Sequence, residues 1–88
     1  MSVKLDKAQF QHFVYGVYVQ IYGKEGFLRD EIFASDYDAQ QFVTDEILPS
    51  LKPGFVAEYN QDYDYWDIFD QRGKEFAYVA IRSFSYYE

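Results

Sequence analysis

Residues 10–22, FQHFVYGVYVQIY, constrain the fold more than any other stretch, because the same side chains satisfy two incompatible periods. Phe10, Phe13, Val14, Val17, Tyr18 and Ile21 share one face of a helix, whereas Phe13, Tyr15, Val17, Val19 and Ile21 alternate with His12, Gly16 and Gln20 as a strand does. Composition separates the two. Three Val, one Ile and five aromatic residues around a central glycine suit a pleated surface better than a helix. The segment is therefore predicted as a strand over about 12–22, after a helical turn over about 6–10. In that turn Asp6 is the N-cap, Gln9 takes the third helical position, and Leu5 and Phe10 are spaced as a hydrophobic staple. If the segment were helical instead, the chain would hold two helices and a three-stranded meander.

Beyond it, Gly23-Lys24-Glu25-Gly26 is turn chemistry with two glycines able to take positive φ, and Phe27 to Ala34 returns as the second strand of a hairpin. Ser35, with Asp38 three positions on, reads as an N-cap, and Asp36 and Asp38 sit where the helix dipole favours negative charge. The helix is predicted over about 36–48, burying Ala39, Phe42, Val43 and Ile47 and ending before Pro49. Lys52-Pro53-Gly54 turns the chain into a meander. Its strands are Phe55–Tyr59, Tyr63–Phe69 and Phe76–Phe84, with loops at 60–62 and at Asp70–Lys74, where Gly73 offers a left-handed position. The whole chain, residues 1–88, is read as one small α+β domain. It is a single antiparallel β-sheet with one helix packed on a face, in the order ββαβββ.

Little in the sequence points to catalysis. His12 is the only histidine and there is no cysteine, so neither a two-histidine metal site nor a thiol nucleophile exists within the chain. No HExxH, GxSxG or glycine-rich phosphate loop occurs. In an extended segment Asp62 and Asp64 would share a face, about 6.6 Å apart. The stretch is still no calcium loop, since Asp67 replaces the required glycine and no Glu stands at the twelfth position. The expectation is a protein that is not an enzyme, with no metal and no cofactor. The longest apolar run, Phe13–Val19, is too short to span a bilayer, and no signal peptide is evident. A cytoplasmic location without membrane association is expected.

The charge is the more informative feature. The chain carries a net −7, but residues 30–71 alone hold eleven acids against Lys52, a net −10, between mildly basic flanks. The candidate partner-binding acids are Asp30, Glu31, Asp36, Asp38, Asp45, Glu46, Glu58, Asp62, Asp64, Asp67 and Asp70, with Tyr63 and Tyr65 threaded among the last of them. Glu25, Glu75 and Glu88 lie outside this run and are expected to matter less. Asp64, Trp66 and Ile68 should point one way from their strand, with Trp66 in the core, and Tyr63, Tyr65, Asp67 and Phe69 the other. Tyr and Trp anchor interfaces more often than other residues, because each brings rigid area and a polar tip.

Such a surface suits a protein partner that is itself basic, most naturally one that binds nucleic acid, and complementary potential would speed the encounter. Direct nucleic-acid binding is disfavoured because Lys4, Lys7, Lys24, Arg29, Arg72, Lys74 and Arg82 are few and scattered. In size, acidity and lack of catalytic motifs, the chain resembles the small phage and mobile-element inhibitors of DNA-mimic, anti-CRISPR and anti-restriction type. That resemblance is compositional and implies an inhibitor docking on a basic nucleic-acid-binding surface. The alternative is a homodimeric or scaffold module. Twenty aromatic residues in 88 exceed what one small core hides, and Ser83–Glu88 reads as an edge strand with Phe84 and Tyr86 on one face.

Overall fold

A computed structural model describes residues 11–87 of the protein. Strands β1 (Gln11–Ile21) and β2 (Phe27–Phe33) precede the one helical segment among the described residues. That segment opens as α1 (Asp36–Phe42), widens into a π turn over Val43–Ile47 and tightens into a 3₁₀ turn over Leu48–Ser50. Strands β3 (Val56–Asn60), β4 (Tyr65–Phe69) and β5 (Glu75–Tyr87) follow. All five strands form one antiparallel sheet in the spatial order β2-β1-β5-β4-β3, so the class is α+β and the order is ββαβββ, as the sequence predicts. The predicted turn at 6–10 lies outside the described residues.

The helix begins where its cap requires. Ser35 is extended at φ −137° and ψ 153°, and its Oγ accepts the Asp38 backbone N–H at 3.1 Å. The segment runs past its predicted end, because Pro49 lies in the first positions of the closing 3₁₀ turn, where a missing N–H leaves no bond unmade. Its inner side buries Ala39 and Val43 completely, and Val43 joins Val17, Trp66, Ile68, Ala77 and Val79 in the core. Each fully buried aliphatic side chain there contributes roughly 1.5–3 kcal/mol. Phe33 packs on Phe42 at 5.1 Å, and Phe55 meets Phe76 edge-on at 5.0 Å. Phe76 reaches that place through a register shift: Ile68 pairs with Ala77 but Phe69 pairs with Glu75, leaving Phe76 as an extra residue.

Two sequence expectations change, and a third is refined. Strand β4 starts at Tyr65, not Tyr63, because the Asn60 side-chain oxygen accepts the backbone N–H of Asp62 (3.0 Å) and of Tyr63 (3.3 Å) and folds 61–64 into a turn. Asp64 closes that turn in the left-handed region at φ 55°, so Asp62 and Asp64 do not lie along one extended face. The C-terminal segment keeps the open edge the sequence suggests, since beyond Ala80 it has no partner on the β4 side among the described residues, but it is not a separate strand. It is the outer part of β5, the central strand, paired with β1 as far as Gln11 opposite Tyr87.

Candidate protein-binding face

The helix covers one side of the sheet, so strand alternation decides what the other side shows. Trp66, Ile68, Ala77, Val79, Val17 and Val19 point to the helix. Cross-strand partners share a face, so Tyr65, Ala80 and Tyr18 form one row of the open side, and Glu58, Asp67, Tyr78 and Gln20 form the next. Among the described residues no element lies over these rows.

Tyrosine rings fill them. Tyr78 is the hub: it stacks on Tyr65 at 4.9 Å and lies 6.2 Å from Tyr18 and 6.1 Å from Tyr22. Tyr65 in turn stacks on Tyr63 at 5.9 Å, and Tyr63 is 73% exposed. Ala80, set between Tyr18 and Tyr65, is only 5% exposed, with these rings its flanking neighbours on this face among the described residues. The Arg82 guanidinium lies 5.0 Å from the Tyr18 ring centroid. A ring of this face therefore already carries a cation.

Carboxylates border the rings. Asp67 pairs with Tyr78 across one ladder and with Glu58 across the other. Two like charges directly opposite disfavour the pairing itself. Burial pushes the Tyr22 and Tyr65 phenols above their ordinary pKa, and the charges of Glu75 and Asp67 push them further the same way. Beside Glu58 the face continues into a shallow groove of about 410 Å³, with Val56, Phe69, Gly54 and Gln71 in its walls.

The other predicted acids go elsewhere. Glu31 is held by Arg29 at 2.9 and 3.0 Å, on the helix side of β2. Asp70 Oδ1 accepts the backbone N–H groups of Arg72 (2.9 Å) and Lys74 (3.0 Å) and so builds the β4–β5 turn. Asp38, Asp45 and Glu46 are exposed along the helical segment, and Asp30 is exposed on β2. Asp62 is exposed in the β3–β4 turn. Asp36 and Asp64 meet across a cleft of about 250 Å³ floored by Trp66, where Asp64 accepts the Tyr59 hydroxyl at 2.9 Å and Asp36 accepts the Gln40 amide. The eleven acids are thus dispersed: Glu58 and Asp67 on the open face, Glu31, Asp36 and Asp64 on the helix side, and Asp62 and Asp70 in turns.

The sequence reading missed Tyr18, Tyr22, Tyr78, Arg82 and Glu75. Each lies on β1 or β5 or beside their ends, and only the central β1–β5 pairing brings them to Tyr65 and Asp67. Among the described residues no group of three or more His, Cys, Asp or Glu is placed to hold a metal ion, and no helix is long and apolar enough to cross a membrane. This is a helix-backed antiparallel sheet with one open, tyrosine-lined and carboxylate-edged face. No family model, curated protein or solved structure matches the chain.

Proposed function

We propose that this protein is a binding module whose open sheet face docks on a basic surface of a target protein, seating arginine and lysine side chains among its tyrosines and carboxylates. The target surface is one that otherwise binds nucleic acid, which makes the protein an inhibitor of DNA-mimic type. The observation that carries this reading is the unbroken run of Tyr63, Tyr65, Tyr78, Tyr18 and Tyr22 beside Asp67, Glu58 and Glu75. Ring faces attract cations, and a guanidinium stacks on them better than an ammonium does. Aromatic rings on a sheet also suit nucleobases, but the bordering carboxylates repel the phosphates that come with them.

Titration with an arginine-rich peptide, and separately with single-stranded DNA, tests the reading. The peptide binds and weakens with salt, and the DNA does not bind. Changing Tyr65→Leu with Tyr78→Leu leaves the charge unaltered yet removes two cation–π surfaces, each worth about 0.5–2 kcal/mol, so affinity falls about tenfold or more. Asp67→Asn with Glu75→Gln weakens binding more than Asp45→Asn with Glu46→Gln. Equal effects of the two charge pairs, with no effect of the tyrosines, would reduce the interaction to net charge and sink the proposal. Tight DNA binding would overturn it outright.

A further inference from the structure

A separate feature concerns the sheet's edges. On the β4 side the last pairing of β5 is Ala80 with Tyr65, so Ile81–Tyr87 presents a free edge there among the described residues. On its other side β5 stays paired with β1 to Gln11, while β2 leaves β1 at Tyr15. From Val14 opposite Phe84 outward, the ladder is therefore only two strands wide among the described residues. Two-stranded ladders are marginal in water without a third strand or a covering layer.

The two outer edges of the sheet are blunted. In β2 a register shift sets Arg29, Asp30 and Glu31 against Val17 alone, and β3 is five residues long with Glu58 at its centre. Bulges, charges and shortness are the usual means of keeping an edge from pairing. The β5 edge has neither bulge nor shortness, and little charge. Its seven residues hold one charge, Arg82, no proline and no glycine, and its register with β1 is unbroken.

We propose that two copies of this protein pair antiparallel through the Ile81–Tyr87 edge of β5, about a two-fold axis at Phe84, into one continuous sheet. That axis uses the whole free edge: Ile81 stands opposite Tyr87, Arg82 opposite Tyr86, Ser83 opposite Ser85 and Phe84 opposite its own copy. The two Arg82 charges lie four positions apart, roughly 13 Å along the strand and beyond the Debye length at physiological salt. The same symmetry at the centre of β2 or β3 sets Asp30 against Asp30 or Glu58 against Glu58, a like-charge pair that opposes self-association. Phe84, at the centre of that axis and 44% exposed, rests its ring over Gly16 beside Leu28 on the β1 side, so its bulk does not stand in the way of the new seam. The seam adjoins the tyrosine run only at Arg82, which lies over Tyr18, and it rests on the free backbone edge, so dimerisation does not depend on the binding reading.

Sedimentation across a concentration series, with a charge-swap pair, decides the matter. The wild-type chain sediments as a dimer that dissociates on dilution. Ser83→Lys with Ser85→Lys gives a monomer by setting like charges opposite one another, and so does Ser83→Glu with Ser85→Glu. Mixing the two variants restores a one-to-one dimer. A wild-type monomer at millimolar concentration, a dimer that persists in both variants, or a mixture that stays monomeric overturns the proposal. Amide exchange of the wild-type chain is the arm that does not depend on the variants folding. Protection of residues 81–87 that rises with concentration supports the dimer, and protection that ignores concentration refutes it. Arginine-peptide affinity unchanged in the monomeric variants shows the two surfaces to be separate.

Discussion

Gly26 shows how one missing atom shapes the open face. A methyl group built there would overlap the Tyr18 hydroxyl and the Gln20 amide oxygen, which are bonded to each other at 2.9 Å. Both obstacles are the far ends of flexible side chains, so Gly26→Ala displaces them and the fold survives. Losing the Tyr18–Gln20 bond costs about 1 kcal/mol, or roughly 4–8 °C of thermal midpoint in a domain of this size. The Tyr18 ring should also leave Arg82, which a change in its NMR ring shifts would report. An unaltered midpoint with unaltered Tyr18 shifts would show that the space is not needed. The sequence marks Gly23 and Gly26 alike as turn glycines. Only Gly23 takes positive φ, at 84°, and nothing local in the sequence discloses that Gly26 is there for room.

At the scale of elements, the legible features are those with local causes. Ser35 ahead of Asp36 and Asp38 announces the helix, and the structure makes that cap bond. Ser35→Ala should lower unfolding free energy by about 1 kcal/mol in a urea titration, with the slope unchanged. A loss indistinguishable from zero would mean that packing of Val43 and Phe42 fixes the helix start without the cap. Alternation correctly sends Trp66 and Ile68 inward, since the period of a strand needs no long-range information. The loop expected at 60–62 extends to Asp64 because, although aspartates and tyrosines in alternation look extended, the Asn60 side chain competes for the backbone and wins. The adjacency of β1 and β5 has no local signal, as it joins residues more than fifty positions apart. For that reason three of the five tyrosines in the run, Tyr18, Tyr22 and Tyr78, have no signal in the sequence, and Glu75, expected to lie outside the site, sits beside it.

For the whole molecule, folding disperses one acidic run in sequence and leaves an acidic neighbourhood on each side of the sheet, and tyrosine is the titrating residue common to both. On the open side, burial raises the pKa of Tyr22 and Tyr65, with Glu75 and Asp67 adding to it. On the helix side, Tyr59 is raised by donating its hydroxyl to Asp64. In each case the folded state holds the phenol proton more tightly than the unfolded chain, which releases it near pH 10. Above that value the unfolded state binds fewer protons, so stability falls as pH rises. The contribution is complete below about pH 10 and disappears as pH climbs through the raised folded values. Thermal midpoints measured upward from pH 8 should thus hold steady and then drop. Tyr22→Phe with Tyr65→Phe should flatten the drop, and Asp64→Asn should flatten it independently by freeing Tyr59 from its acceptor. Because burial leads on the open side, added salt should moderate that part only slightly. Identical alkaline slopes in the wild type and in all these variants would show that the phenols ionise alike in the folded and unfolded chains. The close packing of Tyr65 on Tyr78 and the Tyr59–Asp64 bond would then not persist in solution.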